Sequence, residues 1–437
     1  MKIKAVRGFK DWLPEDFVKY DFLINIAKDI LKKYNYREIK IPILEKTELF
    51  VRSIGEVTDI VQKETYTFQD RNKEFLTLRP EATAGICRMV IEHGVYAQAK
   101  PLKFFTVGPM FRHERPQKGR LREFYQVDVE FFGGVNPFYE VELIQLALNI
   151  LKAPFKELGL KENRFTLEIN SLGCEKCRPE FRNYLVSELG KKEERLCETC
   201  RDRLRRNPLR ILDCKNEKCK EVLKEIKGIS DFWCDECRAH FEEVKELLKT
   251  VGIDFVHNSY LVRGLDYYVR TIFEIKAEGL GAQDTVCAGG RYDKLLSELG
   301  GPELPAIGFA IGVERWALTV FSKENGEEKA LPEKLSKSLK PEVFLVLLGK
   351  EQFKKGLQIA KELRENKIKT EVLYEEKSLK ALLRDANRAG VKLALILGED
   401  ELKKGKIIVK DMEAGSQKEV EIEICVKEVK SLLEKEK

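Results

Sequence analysis

Residues 111–130 read FRHERPQKGRLREFYQVDVE. They form two strand-like stretches separated by a basic, glycine-containing loop, a hairpin whose inner faces present Arg112, Glu114, Gln126 and Glu130. An arginine at position 112 can make bidentate, charge-assisted bonds to a phosphate that a lysine could not reproduce. The loop 115–122 carries four basic residues and one proline, which suits a polyanion. Taken alone, a solvated hairpin with surface charges explains the same residues. His113 alternates away from Arg112 and Glu114 on a strand and reads as structural.

Outward from the hairpin, the chain to about residue 170 mixes helix and strand. Residues 16–34 place Phe17, Tyr20, Ile24, Ala27 and Leu31 on one helical face. Short strands are expected at 38–43, 64–68, 75–78, 103–107 and 124–132. Few clean βαβ repeats occur, so an antiparallel sheet with flanking helices fits better than a doubly wound fold. Residues 171–258 hold eight of the eleven cysteines, with many charges and mostly helical periodicity. Strand-like, glycine-punctuated sequence then returns between 260 and 316. The middle segment therefore reads as an inserted helical domain, 171–258, interrupting one catalytic domain made of 1–170 and 259–321. Residues 322–340 (SKENGEEKALPEKLSKSLK) are polar and unpatterned and read as a linker. From 341 to 437 the order strand (342–348), helix (to 365), strand (370–374), helix (from 378) and strand (393–397) predicts a compact α/β domain. The whole is α+β.

Bulk numbers narrow the class. The 437 residues are 43% hydrophobic and 35% charged, and 79 basic against 73 acidic residues leave a net charge of +6. Such a balance permits a nucleic-acid partner without arguing for one, because local patches decide. The start, MKIKAVRGFKDW, lacks the apolar stretch of a secretory signal. The longest strongly apolar run, 343–348, is too short to cross a bilayer. A cytoplasmic protein with no membrane partner is expected, its cysteines being thiols or metal ligands rather than disulfides.

Two further blocks carry chemistry. Residues 304–316, LPAIGFAIGVERW, read as a strand of small residues leading through Gly312 into a helix near Val313. Gly308 and Gly312 would let a flat ligand approach the backbone, and Arg315 can stack on a base. Residues 262–274 (VRGLDYYVRTIFE) pair with 286–293 (VCAGGRYD). There Arg263 precedes a glycine and two adjacent tyrosines, the run Ala288-Gly289-Gly290 allows close backbone approach, and Arg291 supplies charge. Each block alone is an ordinary packed corner or turn.

Their order is more specific. Residues 36–44, the hairpin and GFAIGVER resemble motifs 1, 2 and 3 of the class II aminoacyl-tRNA synthetases. The blocks VRGLDYYVRTIFE and AGGRYD resemble those particular to the histidyl branch, and the resemblance spans essentially the whole chain. It implies a class II antiparallel-sheet catalytic domain and a C-terminal anticodon-binding domain. It also implies an activity that joins L-histidine to ATP and then to tRNA(His), with Mg²⁺. By the same resemblance Arg112 grips the α-phosphate of ATP, Glu114 belongs to the adenine pocket and Arg315 covers the adenine. Glu81 and Thr83, within LTLRPEATAG, lie against the amino acid, and Gln126 and Glu130 line the same pocket. Tyr267 and Tyr268 enclose the imidazole. Arg263 contacts histidine and stands across from Arg112 on the α-phosphate, a protein cation where other class II enzymes place a metal ion. Gln117, Lys118 and Arg120 face the acceptor stem, and Pro42 with its neighbours belongs to a homodimer interface. Buried partners for the two ring nitrogens would discriminate strongly against ligands lacking them.

The eight clustered cysteines fall into four pairs: Cys174-x₂-Cys177, Cys197-x₂-Cys200, Cys214-x₄-Cys219 and Cys234-x₂-Cys237. Such spacing lets two thiolates reach one tetrahedral ion, so structural Zn²⁺ is expected, as two ions or as one with four spare thiols. His240 follows Cys237 closely and could substitute as a ligand, though eight thiols make that unnecessary. Cys87, Cys287 and Cys425 read as small buried residues. Two other functions share parts of this pattern. One is the non-catalytic, histidine-binding regulatory subunit of ATP phosphoribosyltransferase, against which stand the three arginines and the appended α/β domain. The other is an amide-forming class II relative such as an asparagine synthetase, which would lack the RGLDYY and AGGRYD pair.

Overall fold

The computed structural model describes residues 3–55, 58, 60–98, 101–162, 164–281, 284–322 and 330–434. The chain divides into two compact units, Met1–Ala330 and Leu331–Lys437.

The first unit is built on an eight-stranded sheet. Its order runs Arg37–Glu38, Leu102–Phe111, Glu123–Phe132, Ala306–Gly312, Thr285–Arg291, Val269–Ala277, Phe165–Ser171 and Val256–His257. The six central strands pair antiparallel, and only the two short edge strands pair parallel. This is the antiparallel α+β core that the scarcity of βαβ repeats predicts. The hairpin strands pair from Leu102↔Phe132 to Phe111↔Glu123, so they are longer than the sequence pattern alone indicates. On the strand Glu123–Phe132, Val127, Val129 and Phe131 are buried on one face. Gln126, Asp128 and Glu130 alternate onto the other. Fully burying a side chain of that size contributes about 1.5–3 kcal/mol, so the apolar set fixes the register and forces the polar set together.

Helix Pro137–Glu157 carries Val141, Leu143, Ile144, Ala147, Ile150 and Leu151 into the core, and Trp316 Nε1 donates to Leu151 O at 3.2 Å. Helix Pro14–Lys33 buries Tyr20, Leu23, Ala27 and Leu31. Phe17, expected on that buried face, is 52% exposed, its ring 6.4 Å from that of Trp12. A separate three-stranded antiparallel sheet of Leu44–Lys46, Phe75–Leu78 and Tyr66–Gln69 leaves Ile43, Leu44, Phe68 and Phe75 exposed.

Between Ser171 and Val256 the chain leaves the sheet for helices Cys177–Gly190, Glu198–Arg206, Glu217–Lys224 and Asp235–Thr250. The last of these packs on helix Pro137–Glu157.

In the second unit, parallel strands Thr370–Val372, Val343–Leu347 and Leu393–Leu397 continue into antiparallel strands Lys406–Asp411 and Gln417–Glu421. Helices Lys350–Glu365, Leu379–Ala389 and Cys425–Glu434 accompany them, and Ser378 caps the second through Ala381 N at 3.3 Å. The two antiparallel strands were not anticipated, since their lysine and glutamate residues mask the alternation. Part of the stretch read as linker is ordered: Glu333–Leu339 is a helix that buries Leu335, while 323–329 lie outside the described residues. Among the described residues no helix is long and apolar enough to cross a membrane.

Candidate active site and thiol centres

The polar face of strand Glu123–Phe132 is floored by small residues. Gly308 pairs with Glu130, Ala310 with Asp128 and Gly312 with Gln126, and on the next strand Gly290 and Ala288 pair with Gly308 and Ala310. The glycines are steric necessities. A Cβ on Gly308 would collide with Glu130 Oε2 and lie 2.7 Å from Val129 O, and one on Gly289 would collide with Gly308 O. Ala288, Gly290, Gly308 and Ala310 thus leave room above the polar face, while Gly289 faces Phe273 and Phe309 on the other side.

Into that space one connected set of side chains projects. Glu81 accepts from Thr83 N at 2.7 Å and Ala84 N at 2.9 Å, capping helix Thr83–Glu92 at its positive end. Tyr267 OH donates to Glu81 Oε2 at 3.4 Å. Thr83 Oγ1 donates to Glu130 Oε1 at 2.6 Å, and Tyr292 OH donates to Glu130 Oε2. The rings of Tyr267 and Tyr268 lie 4.7 Å apart, and those of Tyr267 and Tyr292 5.6 Å. Burial pushes Glu81 and Glu130 above the ordinary carboxylate range despite these donors. Gln126 Oε1 is buried with no hydrogen-bond partner among the described residues, and so is Arg263 Nε. A buried orphan of this kind costs about 1–3 kcal/mol, and a ligand that pairs with it recovers that energy.

Two guanidinium groups flank the set. Arg112 sits just past the end of its strand, where its N–H still pairs with Arg122 O at 2.9 Å. Its Nε donates to Pro80 O at 2.9 Å, and its guanidinium lies 5.3 Å from the Phe124 ring. Arg263 pairs with Glu274, which also accepts from Thr285 Oγ1 at 2.8 Å, and lies 6.0 Å from the Tyr268 ring. Burial lowers the Arg112 pKa, and the positive charge of Arg263 lowers it further. Two desolvated cations close enough to repel would jointly attract an anion.

The hairpin loop is more ordered than a solvated loop would be. Glu114 pairs with Arg120, its carbonyl accepts from Arg122 Nε at 3.1 Å, and Gln117 and Arg120 exchange backbone bonds. Arg315, in the first turn of helix Val313–Phe321, donates to Gly119 O and Thr285 O at 2.9 Å each. Burial and the charges of Arg120 and Arg112 bring it down to about 10. Lys118, Gly119, Gly279, Arg315 and Leu318 line one recess. His113 stacks edge-on to Tyr66, with centroids 5.5 Å apart, away from Arg112.

Two expectations need correction. Arg291 does not supply charge to the pocket. It is fully buried beneath the sheet, donating to Glu140 Oε1 at 2.6 Å, Gly134 O at 2.9 Å and Asp293 Oδ1 at 3.0 Å. Gly290 lies on the pocket face, so alternation puts Arg291 opposite Ile307 on the core face and returns Tyr292 to the pocket. Tyr292 was missed, although it stands in the quoted AGGRYD block. His240 is not among the thiols; its Nε2 lies 3.2 Å from Glu140 Oε1.

The cysteines form two groups of four, Cys174, Cys177, Cys234 and Cys237, and Cys197, Cys200, Cys214 and Cys219. Within each group the sulfurs all lie within 4.8 Å of one another. Cys234 N donates to Cys177 Sγ and Cys197 N to Cys219 Sγ, both at 3.2 Å. Either group could hold a metal ion, and four sulfurs at this spacing suit a tetrahedral one. Cys87, Cys287 and Cys425 are buried singly.

Comparison with known proteins places this geometry. Residues 8–316 match the family model described as histidyl-tRNA synthetase, and residues 342–432 match one described as an anticodon binding domain. A histidine–tRNA ligase of Halothermothrix orenii is 44% identical over 433 residues, covering 99% of this chain and all of the relative. One of Aquifex aeolicus is 46% identical over 422 residues, covering 97% of this chain and 99% of the relative. The crystal structure of apo S. aureus histidyl-tRNA synthetase aligns with a TM-score of 0.79 at 33% identity, covering 98% of this chain and 100% of that one. On likeness that runs the length of both partners, the chain belongs to the histidyl-tRNA synthetase family.

Proposed function

We propose that this chain activates L-histidine with ATP and transfers it to the 3′ end of tRNA(His). The observation that carries the reading is the connected acid–tyrosine set lying beside two converging, desolvated arginines. A carboxylate oxygen of histidine attacks the α-phosphorus, the bond to the bridging oxygen breaks, and pyrophosphate leaves. A hydroxyl of the terminal ribose then attacks the adenylate carbonyl and AMP leaves. No side-chain base is needed in the first step, because the carboxylate is already ionised at neutral pH.

Arg112 and Arg263 hold the α-phosphate from two sides and stabilise the charge that builds on its oxygens. Arg263 also meets the histidine carboxylate. Glu81, Thr83, Gln126, Glu130, Tyr267 and Tyr268 form the histidine pocket, with Tyr292 added through its bond to Glu130. Arg315, anchored at Nε and Nη1, covers the adenine, and Glu114 lies on the same side. Mg²⁺ enters with ATP and neutralises charge on its phosphates. The loop bearing Gln117, Lys118 and Arg120 faces the acceptor stem, and the second unit takes the anticodon. The exposed Ile43, Leu44, Phe68 and Phe75 support a homodimer through the motif 1 face around Pro42.

Each thiol group holds one structural Zn²⁺, supplying cross-links within the inserted segment and no chemistry to the reaction. Protein purified without added metal should therefore contain two zinc ions per chain by elemental analysis, one for each four-cysteine group. Cys234→Ser should lower that to one. A metal-free, fully folded protein would defeat the assignment.

The regulatory-subunit alternative is not favoured, since the ligases named above align with both units. Charging tests the reading: labelled histidine should become acid-precipitable on tRNA(His) and on no other tRNA. Binding of histidine without charging would favour the regulatory reading.

A further inference from the structure

The loop carrying Tyr267 and Tyr268 is held by groups that belong to the cysteine-rich insertion rather than to the sheet. Arg178, the residue after Cys177, donates from Nη1 to Tyr268 O at 3.0 Å and to Asp266 O at 3.5 Å. Asn207, between helix Glu198–Arg206 and the turn before Cys214, donates from Nδ2 to both carboxylate oxygens of Asp266, at 3.1 and 3.3 Å. Glu236, inside the Cys234-x₂-Cys237 pair, binds Arg270 at the far end of the loop.

Arg270 has φ of +48°, a left-handed conformation that a residue with a Cβ adopts only when its surroundings enforce it. The enforcing bonds run from Leu172 N to Arg270 O at 2.7 Å and from Arg270 N to Gly173 O at 2.9 Å, immediately before Cys174. The first thiol group thus joins the helix starts that carry Arg178 and Glu236 to the segment that pins Arg270. Among the described residues the loop is also tied to the rest of the first unit by Asp266 N to Ile54 O at 3.1 Å and by Tyr267 OH to Glu81 Oε2 at 3.4 Å.

We propose that the inserted segment is a clamp on the histidine-side loop. Arg178 and Asn207 are its positioning residues, and the group of Cys174, Cys177, Cys234 and Cys237 sets where Arg178 stands. Neither residue touches substrate; both act by fixing the backbone from which Tyr267 and Tyr268 project. The inference rests on the assignment of those tyrosines to the histidine pocket. It extends that assignment by giving the insertion a part in amino-acid affinity. A clamp on one substrate's loop has a distinctive consequence: its loss weakens histidine binding and leaves ATP, whose contacts with Arg112 and Arg315 lie outside that loop, almost unaffected.

The test is histidine-dependent pyrophosphate exchange by the full chain, with KM measured separately for each substrate and zinc content measured on every sample. Arg178→Ala should raise the histidine KM at least tenfold, keep the ATP KM within twofold and retain wild-type zinc. Arg178→Lys, which keeps one donor, should recover part of the loss. Should Arg178→Ala not fold, Asn207→Ala carries the same test at a partly buried position, with an expected three- to tenfold rise in histidine KM alone. Equal shifts in both KM values, or an unchanged histidine KM, would overturn the clamp. Absence of exchange in the wild-type chain would instead defeat the functional reading, and the clamp with it.

Discussion

Arg263→Ala is expected to lower the rate of histidine-dependent pyrophosphate exchange by about 10²–10³-fold, the scale seen when one preorganised charge-stabilising group is removed. The side chain is largely buried, paired with Glu274, and leaves its buried Nε without a partner among the described residues. It therefore enters the reaction already desolvated and oriented, which is what makes a cation effective at the moment charge develops. Removing it leaves Glu274 with the Thr285 hydroxyl as its donor, so the carboxylate keeps a partner and the fold persists. Arg263→Lys should still fall at least tenfold, because an ammonium cannot serve Glu274 and a phosphate oxygen in one plane. The check is the exchange rate at saturating substrates beside thermal melting. A rate within threefold of wild type would remove Arg263 from the mechanism.

Gly308→Ala should act through the other side of the pocket. The added carbon has no place to go, since it meets Glu130 Oε2 and the fixed carbonyl of Val129. Glu130 must turn away, losing Thr83 and Tyr292 together. Overpacking costs about 1–3 kcal/mol, and a buried polar group left unpaired costs about 1–3 kcal/mol more. At about 1.4 kcal/mol per factor of ten, histidine kcat/KM should fall roughly 100-fold. The melting temperature should also fall by several degrees. Normal histidine kinetics in this variant would show that Glu130 is not where the amino acid is read.

The sequence made the antiparallel sheet and the order of the chemical blocks legible because both depend on local pattern. The hairpin around Arg112 announces itself by two apolar alternations flanking a basic loop, and glycine and alanine mark the pocket floor directly. What stayed hidden depends on non-local pairing. The grouping of Cys174 and Cys177 with Cys234 and Cys237 spans about sixty residues, and spacing alone leaves the partners open. The faces of Arg291 and Tyr292 follow only once the pairing of Gly290 with Gly308 shows which side is the pocket: Arg291 then falls opposite Ile307 on the core face and Tyr292 on the pocket face. Arg178 gives no signal at all in sequence, being one of many charged residues in a helical stretch. Its meaning comes from two carbonyls almost ninety residues away.

The central claim is that this pocket activates histidine. Exchange of labelled pyrophosphate into ATP, measured with Mg²⁺ and each amino acid in turn, tests it most directly. Exchange that requires L-histidine, and that no other amino acid supports, is the predicted result. Histidine binding with no exchange would contradict it, leaving a binding protein on a synthetase fold.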